Sequence, residues 1–188
     1  MQTLFTIVVL LYYVSLLAEL YWLAVPSAVS SYNIFKNKKK SRFYFIILDV
    51  LAVIAFILPV LTIGFSFIGF NLMLLNHQTW LIGISIFVII VGRIFTFWGT
   101  VNIRKHLKKQ NITVLESGIF SISRHPIATG LIISLIGFNL AYLNWVLFLL
   151  SITFVININQ KILLEEALLQ QQHPTEYQQY KQQSRRFL

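Results

Sequence analysis

The sequence predicts an all-α fold: a polytopic membrane helical bundle of five transmembrane helices, the last two a helical hairpin, followed by short cytoplasmic C-terminal helices. Three observations lead there. Of 188 residues, 57% are hydrophobic and only 11% are charged, a balance too apolar for a water-soluble domain. The apolar residues fall in long continuous stretches, and the basic residues behind the formal net charge of +9 lie between those stretches.

Three spans are read directly, from about Thr3 to Val25, Phe43 to Phe70 and Trp80 to Ile103, each long enough for a hydrocarbon core of ~30 Å. The first carries Glu19 and has no basic leader, so it is expected to be a retained helix and not a cleaved signal. The stretch from Ile127 to Ile158 is too long for one span and is interrupted by Asn139 and by Tyr142-Leu143-Asn144, which predicts two helices joined by a tight turn. Residues 1–103 then form a three-span N-terminal bundle. Residues 104–188 add a cytoplasmic loop, the hairpin and the C-terminal helices, within one structural unit.

Charge gives an independent test of this topology. Lys36, Lys38, Lys39, Lys40 and Arg42 follow the first span, and Arg104, Lys105, Lys108, Lys109 and Arg124 follow the third, whereas Asn71 to Thr79 has no Lys or Arg. The positive-inside rule therefore places the N-terminus outside and both basic loops in the cytoplasm. The tail, with Lys161, Lys181, Arg185 and Arg186, is basic too, so an even number of crossings separates it from Arg124, as a hairpin requires. The glycosylation sequence Asn111-Ile112-Thr113 falls on the wrong side of the membrane for use. This distribution also points to a membrane surface, with no nucleic acid as partner.

Several chemistries are excluded. The chain has no cysteine, hence no disulfide, thiolate ligand or cysteine nucleophile. His77, His106, His125 and His173 show no metal-ligand spacing, and Asp49 is the only aspartate, which leaves no basis for a Ser-His-Asp arrangement or a metal site. No Gly-rich turn between a strand and a helix is present.

Polar residues inside or bordering the spans carry the rest. Glu19, Asp49 and Arg93 lie in the cytoplasmic halves of spans one to three and are expected to pair internally, Arg93 with Asp49 or Glu19, because an unpaired charge there is expensive. A polar cavity wall is the other reading. Arg124-His125-Pro126 stands where the basic loop meets the fourth span, with Pro126 suited to the first helical turn and His125 to the cap. The free N–H groups of such a helix start favour an anion. The fifth helix is expected to continue past the membrane through Glu165-Glu166, with Glu165 in a local pair with Lys161 and Glu166 free of local partners. A further helix is expected at the capping box Thr175-Glu176-Tyr177-Gln178, with Tyr177 and Tyr180 on one face, either as interfacial anchors or as part of a site.

Gly118-Ile119-Phe120, Arg124-His125-Pro126-x-x-x-Gly130, Glu165-Glu166-x-x-Leu169 and Glu176-Tyr177-x-x-Tyr180 together resemble the isoprenylcysteine carboxyl methyltransferase family and, more broadly, the membrane phospholipid methyltransferases. The resemblance covers roughly residues 92–188. It implies an integral membrane enzyme that binds S-adenosylmethionine near the cytoplasmic ends of the last helices. The methyl group would pass to a lipid or prenylated small-molecule acceptor entering from the bilayer. It implies Arg124, Glu166 and Arg186 as catalytic residues. His125, Pro126, Gly130, Glu165, Glu166, Tyr177 and Tyr180 would bind the cofactor. A bacterial inner membrane or an endoplasmic reticulum membrane would be the location. Two departures bear on the acceptor: Ala128 replaces the tyrosine of the family pattern, and His173-Pro174 replaces an aromatic residue and glycine.

The residue chemistry is compatible with these roles. A sulfonium and an ammonium call for acidic and aromatic neighbours, as Glu165 or Glu166 and Tyr177 or Tyr180 would provide. A carboxylate calls for Arg124, His125 and the helix start at Pro126. Gly130 permits close approach either to the cofactor or to a neighbouring helix through Gly130-x-x-x-Ser134. An acceptor carboxylate is ionised at neutral pH and needs an arginine, Arg124 or Arg186, to orient it. A lipid amine or phenol needs a base, for which Glu166 or His125 would serve. A sterol-reductase-like enzyme using NADPH and a non-catalytic membrane protein are the remaining readings.

Overall fold

The computed structural model describes residues 1–27, 42–66, 68, 78–107 and 117–187. The helices are α1 (Gln2–Ser27), α2 (Arg42–Ser66), α3 (Thr79–Leu107), α4 (Pro126–Tyr142), α5 (Trp145–Gln172) and α6 (Pro174–Gln183), with a 3-10 turn at Gly118–Ser121. Among the described residues the only extended pairing is an isolated bridge between Ser123 and Arg185. The bundle is all-helical, as expected. The basic residues Lys36, Lys38, Lys39, Lys40, Lys108 and Lys109, the uncharged segment 71–77 and Asn111-Ile112-Thr113 lie outside the described residues.

Four helices, α1, α2, α3 and α5, are long and apolar enough to cross a membrane. The fifth expected span, α4, has 17 residues. It is ~25 Å long at 1.5 Å per residue, shorter than its neighbours. Its limits are set locally: Pro126 occupies the first turn, and Leu143 takes a left-handed φ of 43° that stops the helix. Asn144 then caps α5, its side chain accepting from the backbone N–H groups of Val146 and Leu147. The Tyr142-Leu143-Asn144 turn of the hairpin is thus formed as read. Asn139 does not break α4; its Nδ2 donates to Ser151 Oγ at 2.8 Å and ties the two arms of the hairpin together.

Packing follows the rule that helices in lipid associate through close contact and polar bonds, since apolar burial alone gives little advantage there. The tightest seam joins α3 and α4. A Cβ built on Gly92 would lie 2.6 Å from the Gly130 carbonyl oxygen, and one on Gly130 would lie 2.5 Å from that of Gly92. The core continues through Phe5, Val9 and Tyr12 of α1, Ala55 of α2, Ile89 of α3, Phe138 and Tyr142 of α4 and Phe154 of α5. In α2, Pro59 interrupts the helical hydrogen bonding, and two tyrosine hydroxyls donate to carbonyls beside it: Tyr13 to Phe56 and Tyr142 to Pro59. Leu11, Val14, Leu17, Phe87 and Trp145 face outward, as lipid-facing residues would.

The expected internal ion network is split in two. Arg93 Nη2 meets Glu19 Oε1 at 2.8 Å, while its Nε donates to Ser15 Oγ and its Nη1 to Thr96 Oγ1, each at 2.7 Å. Its guanidinium carbon also lies 5.8 Å from the centre of the Tyr12 ring. Asp49 does not join this group. It accepts from Lys161 Nζ at 2.5 Å and Asn157 Nδ2 at 3.0 Å, so it fastens α2 to α5. Lys161, the expected local partner of Glu165 on α5, thus makes its contact ion pair with Asp49, while its charge still acts on Glu165.

Candidate functional site

The site is assembled where α4 begins and α5 leaves the apolar zone. Gly118 opens the approach with φ +67°, a conformation that favours glycine, and a Cβ there would meet Asn102 Nδ2 at 2.5 Å. The 3-10 turn buries Ile119 and Phe120, and the chain then reaches His125 as the cap and Pro126 as the first residue of α4, as the sequence indicated. From the other side α5 carries Glu165 and Glu166. The chain turns at His173, the cap of α6, with Pro174 in its first turn. The capping box expected at Thr175 is not formed, because the fixed φ of Pro174 starts the helix one residue earlier.

Glu166 is the centre. It is 6% exposed, and Arg186 grips it with Nη2–Oε2 at 2.7 Å and Nε–Oε1 at 3.2 Å. Arg124 Nε adds a bond of 3.3 Å, and His125 Nε2 lies 3.4 Å from the same oxygen without hydrogen-bond alignment. The sequence reading that Glu166 lacks a local partner holds along the helix, yet tertiary structure supplies two cations. A buried carboxylate requires such matching.

Arg124 is almost spent. Its Nη1 donates to Ser184 O at 2.5 Å and to Lys181 O at 3.3 Å, carbonyls at the end of α6. Arg186 is the more accessible cation, its side chain one-third exposed. The tail that carries it is laid on the loop before α4: Arg124 N–H donates to Arg185 O at 2.8 Å and Ser123 Oγ to Arg186 O at 3.3 Å. Glu165 stands next to this group with its side chain 58% exposed and an oxygen 3.9 Å from His125 Nδ1.

The two tyrosines do share a face, with ring centroids 6.2 Å apart, but they are buried and are not interfacial anchors. Tyr180 donates to Phe120 O at 2.7 Å and fastens α6 to the 3-10 turn. Tyr177 is 1% exposed with no hydrogen-bond partner for its hydroxyl; burial, then the Glu166 charge, push its pKa up to about 12. Burial pulls the His125 pKa below its ordinary value and outweighs the opposite pull of Glu166, so the imidazole is neutral near pH 7. The hydrogen bond from Arg186 to Glu166 raises the Arg186 pKa further.

The structure therefore gathers Arg124, His125, Pro126, Glu165, Glu166, Tyr177, Tyr180 and Arg186. Gly130 stands apart: its open side is filled by Gly92 and Thr96 of α3, so the close approach it permits is to a helix. Ala128 is buried. Ser123 and Thr129, whose hydroxyls lie 3.3 Å apart within the cluster, were not singled out from sequence, and neither were the carbonyls that receive Arg124. A backbone acceptor carries no residue-type signal, and Ser123 is one hydroxyl among many.

These helices define an integral membrane protein in which a cluster of charged side chains gathers where α4 begins and in the C-terminal part of α5. Comparison gives the particular family: the model for phospholipid methyltransferases matches residues 66–176. The match spans more than half of the chain, and the protein belongs to this family, within the group of isoprenylcysteine-carboxyl-methyltransferase-like integral membrane methyltransferases. No curated protein and no solved structure matches the chain.

Proposed function

We propose that the protein is an S-adenosylmethionine-dependent methyltransferase that O-methylates a carboxylate on a lipid-like, prenylcysteine-type acceptor drawn from the bilayer. The observation that carries this reading is Arg186, held in place by Glu166 through two nitrogens while remaining one-third exposed. Such a cation can orient an anionic acceptor. A carboxylate acceptor is already ionised and needs no base, and Glu166, matched by two guanidiniums, is poorly suited to be one.

The residues present fit the cofactor's chemical demands. Exposed Glu165 offers an anion to its cationic groups, and the start of α4 at His125 and Pro126 suits its carboxylate. Tyr177 and His125 hold buried polar atoms with no aligned partner, ready to pair after a small local shift. When bound, S-adenosylmethionine supplies a methyl group on a sulfonium, open to in-line displacement. The chain's own task is then to position the acceptor and keep water out, which the burial of Glu166, Tyr177 and Tyr180 favours. Arg124 and Glu166 act by fixing Arg186 and the end of α6. In this reading the site faces the cytoplasm and the N-terminus the other side.

A lipid amine is the second reading, favoured by the family match and by exposed Glu165 as a proton acceptor. Thermal-shift titration of the detergent-solubilised protein separates the classes. S-adenosylhomocysteine is expected to stabilise it, and stabilisation by NADPH alone would select a reductase instead. Absence of any shift would count against an enzyme. A lipid extract incubated with labelled methyl donor then identifies the acceptor, base-labile label marking an ester and base-stable label an amine.

A further inference from the structure

Arg186 lies beyond α6, where no helix fixes its backbone, so its aim depends on what the tail is tied to. The shortest ties end before it. Arg124 Nη1 donates to Ser184 O at 2.5 Å, Arg124 N–H to Arg185 O at 2.8 Å, and Tyr180 to Phe120 O at 2.7 Å. Another bond lands on Arg186 itself: Ser123 Oγ donates to its carbonyl at 3.3 Å, from a residue that is fully buried.

The same oxygen is a junction. It accepts from the backbone N–H of His125, the cap of α4, at 3.3 Å and lies 3.3 Å from Thr129 Oγ1 in the first turn of that helix. Proton counting orders these contacts. The Thr129 hydroxyl spends its proton on His125 O at 3.0 Å, so it faces Ser123 as an acceptor. The single Ser123 proton is therefore shared between Thr129 Oγ1 and Arg186 O, while a lone pair receives His125.

Length separates holding from aiming. At 3.3 Å the three Ser123 contacts are long for their type and add little to stability, whereas the other ties of the tail are 2.5–2.8 Å. What Ser123 adds is a second fixed point. Glu166 on α5 holds the guanidinium of Arg186, and Ser123 relates its carbonyl to the start of α4. Two fixed points set the direction of a long side chain, and one lets it pivot.

We infer that Ser123 is a positioning residue for methyl transfer, acting through Arg186 to place the anionic group of the acceptor, an inference that rests on the methyltransferase reading. Acceptor binding of this kind is felt equally before and at the transition state, so its loss raises the half-saturating acceptor concentration and leaves the limiting rate.

The test is Ser123→Ala in the whole protein in detergent, read in two ways. Nitrogen-15 spectra of the arginine Nε–H groups, assigned with Arg186→Lys and Arg124→Lys, report on each guanidinium at Glu166. Ser123→Ala should shift or broaden the Arg186 signal and leave that of Arg124 in place. Thr129→Val, which frees the Ser123 proton for Arg186 O, should leave both signals. With labelled S-adenosylmethionine and a lipid extract at varied concentration, Ser123→Ala should raise the half-saturating lipid concentration severalfold. The limiting rate, the S-adenosylhomocysteine thermal shift and the melting temperature should stay nearly unchanged, a split that general loosening of the fold would not give. An unmoved Arg186 signal, equal changes in Ser123→Ala and Thr129→Val, an unchanged half-saturating concentration, or loss of folded protein in Ser123→Ala would overturn the inference. If the Arg186 signal moves as expected but the wild type shows neither a cofactor shift nor methyl incorporation, Ser123 still sets Arg186 and it is the methyltransferase reading that fails.

Discussion

Arg186 holds Glu166 by two nitrogens at 2.7 and 3.2 Å, and the pair joins the C-terminal part of α5 to the segment beyond α6. Because the carboxylate is buried and also receives Arg124, the two arginines are not equivalent. Glu166→Ala leaves buried Arg124 without its anion and is expected to destabilise the protein by about 3–5 kcal/mol. Arg186→Ala leaves Arg124 on the carboxylate and should be milder, at about 1–2 kcal/mol. Denaturation midpoints in detergent check the order, and equal losses would sink it.

The two arginines should also separate in function. Arg186→Lys keeps a charge but loses the two-nitrogen grip, so it should weaken acceptor use more than cofactor binding. Arg124→Lys should loosen the end of α6 and lower the S-adenosylhomocysteine shift as well. Titration with S-adenosylhomocysteine, alongside methyl incorporation at varied lipid concentration, distinguishes these outcomes.

Gly130→Ala places a methyl group against backbone atoms of Gly92 and Thr96, 2.5 and 2.7 Å away. Backbone cannot turn aside as a side chain can, so the seam must open, at about 1–3 kcal/mol. The expected result is a lowered melting temperature with S-adenosylhomocysteine affinity nearly unchanged. An affinity loss with stability intact would restore Gly130 to the site.

The Glu19–Arg93 pair should behave as one unit. Glu19→Arg and Arg93→Glu each leave two like charges inside the bundle, and each is expected to reduce the folded fraction sharply in detergent size-exclusion profiles. The double exchange should recover a substantial part. Recovery no better than either single variant would mean that Ser15 and Thr96, and not the ion pair, hold Arg93.

His125 gives the site a pH response with a definite sign. Its pKa is lower in the folded state, so between that value and the ordinary value of ~6.5 the unfolded chain binds more protons. The contribution to stability is present above pH ~6.5 and is lost as pH falls through the folded-state pKa. His125→Gln should flatten this acid limb in melting curves from pH 7.5 downward.

Much of this was legible beforehand. Long apolar runs are local signals, so α1, α2 and α3 lie close to where hydropathy put them, and Leu143-Asn144 marks the hairpin because each residue acts on its own backbone. Pro126 likewise announces the start of α4. Partners across the bundle were not legible. Sequence spacing offered Lys161 to Glu165 and left Asp49 or Glu19 as equal choices for Arg93, since which ionic partner wins depends on how α2, α3 and α5 rotate against one another. The seam role of Gly130 was equally hidden, because a glycine that admits a cofactor and one that admits a helix read the same in one chain.

That seam has a consequence for how relatives diverge. Gly92 and Gly130 each occupy the space a side chain on the other would need, with no slack to take up even a methyl group. Sequences that drift at one position must therefore answer at the other or along Thr96 and Ser134. Across an alignment, paired change should trace the line where α3 meets α4.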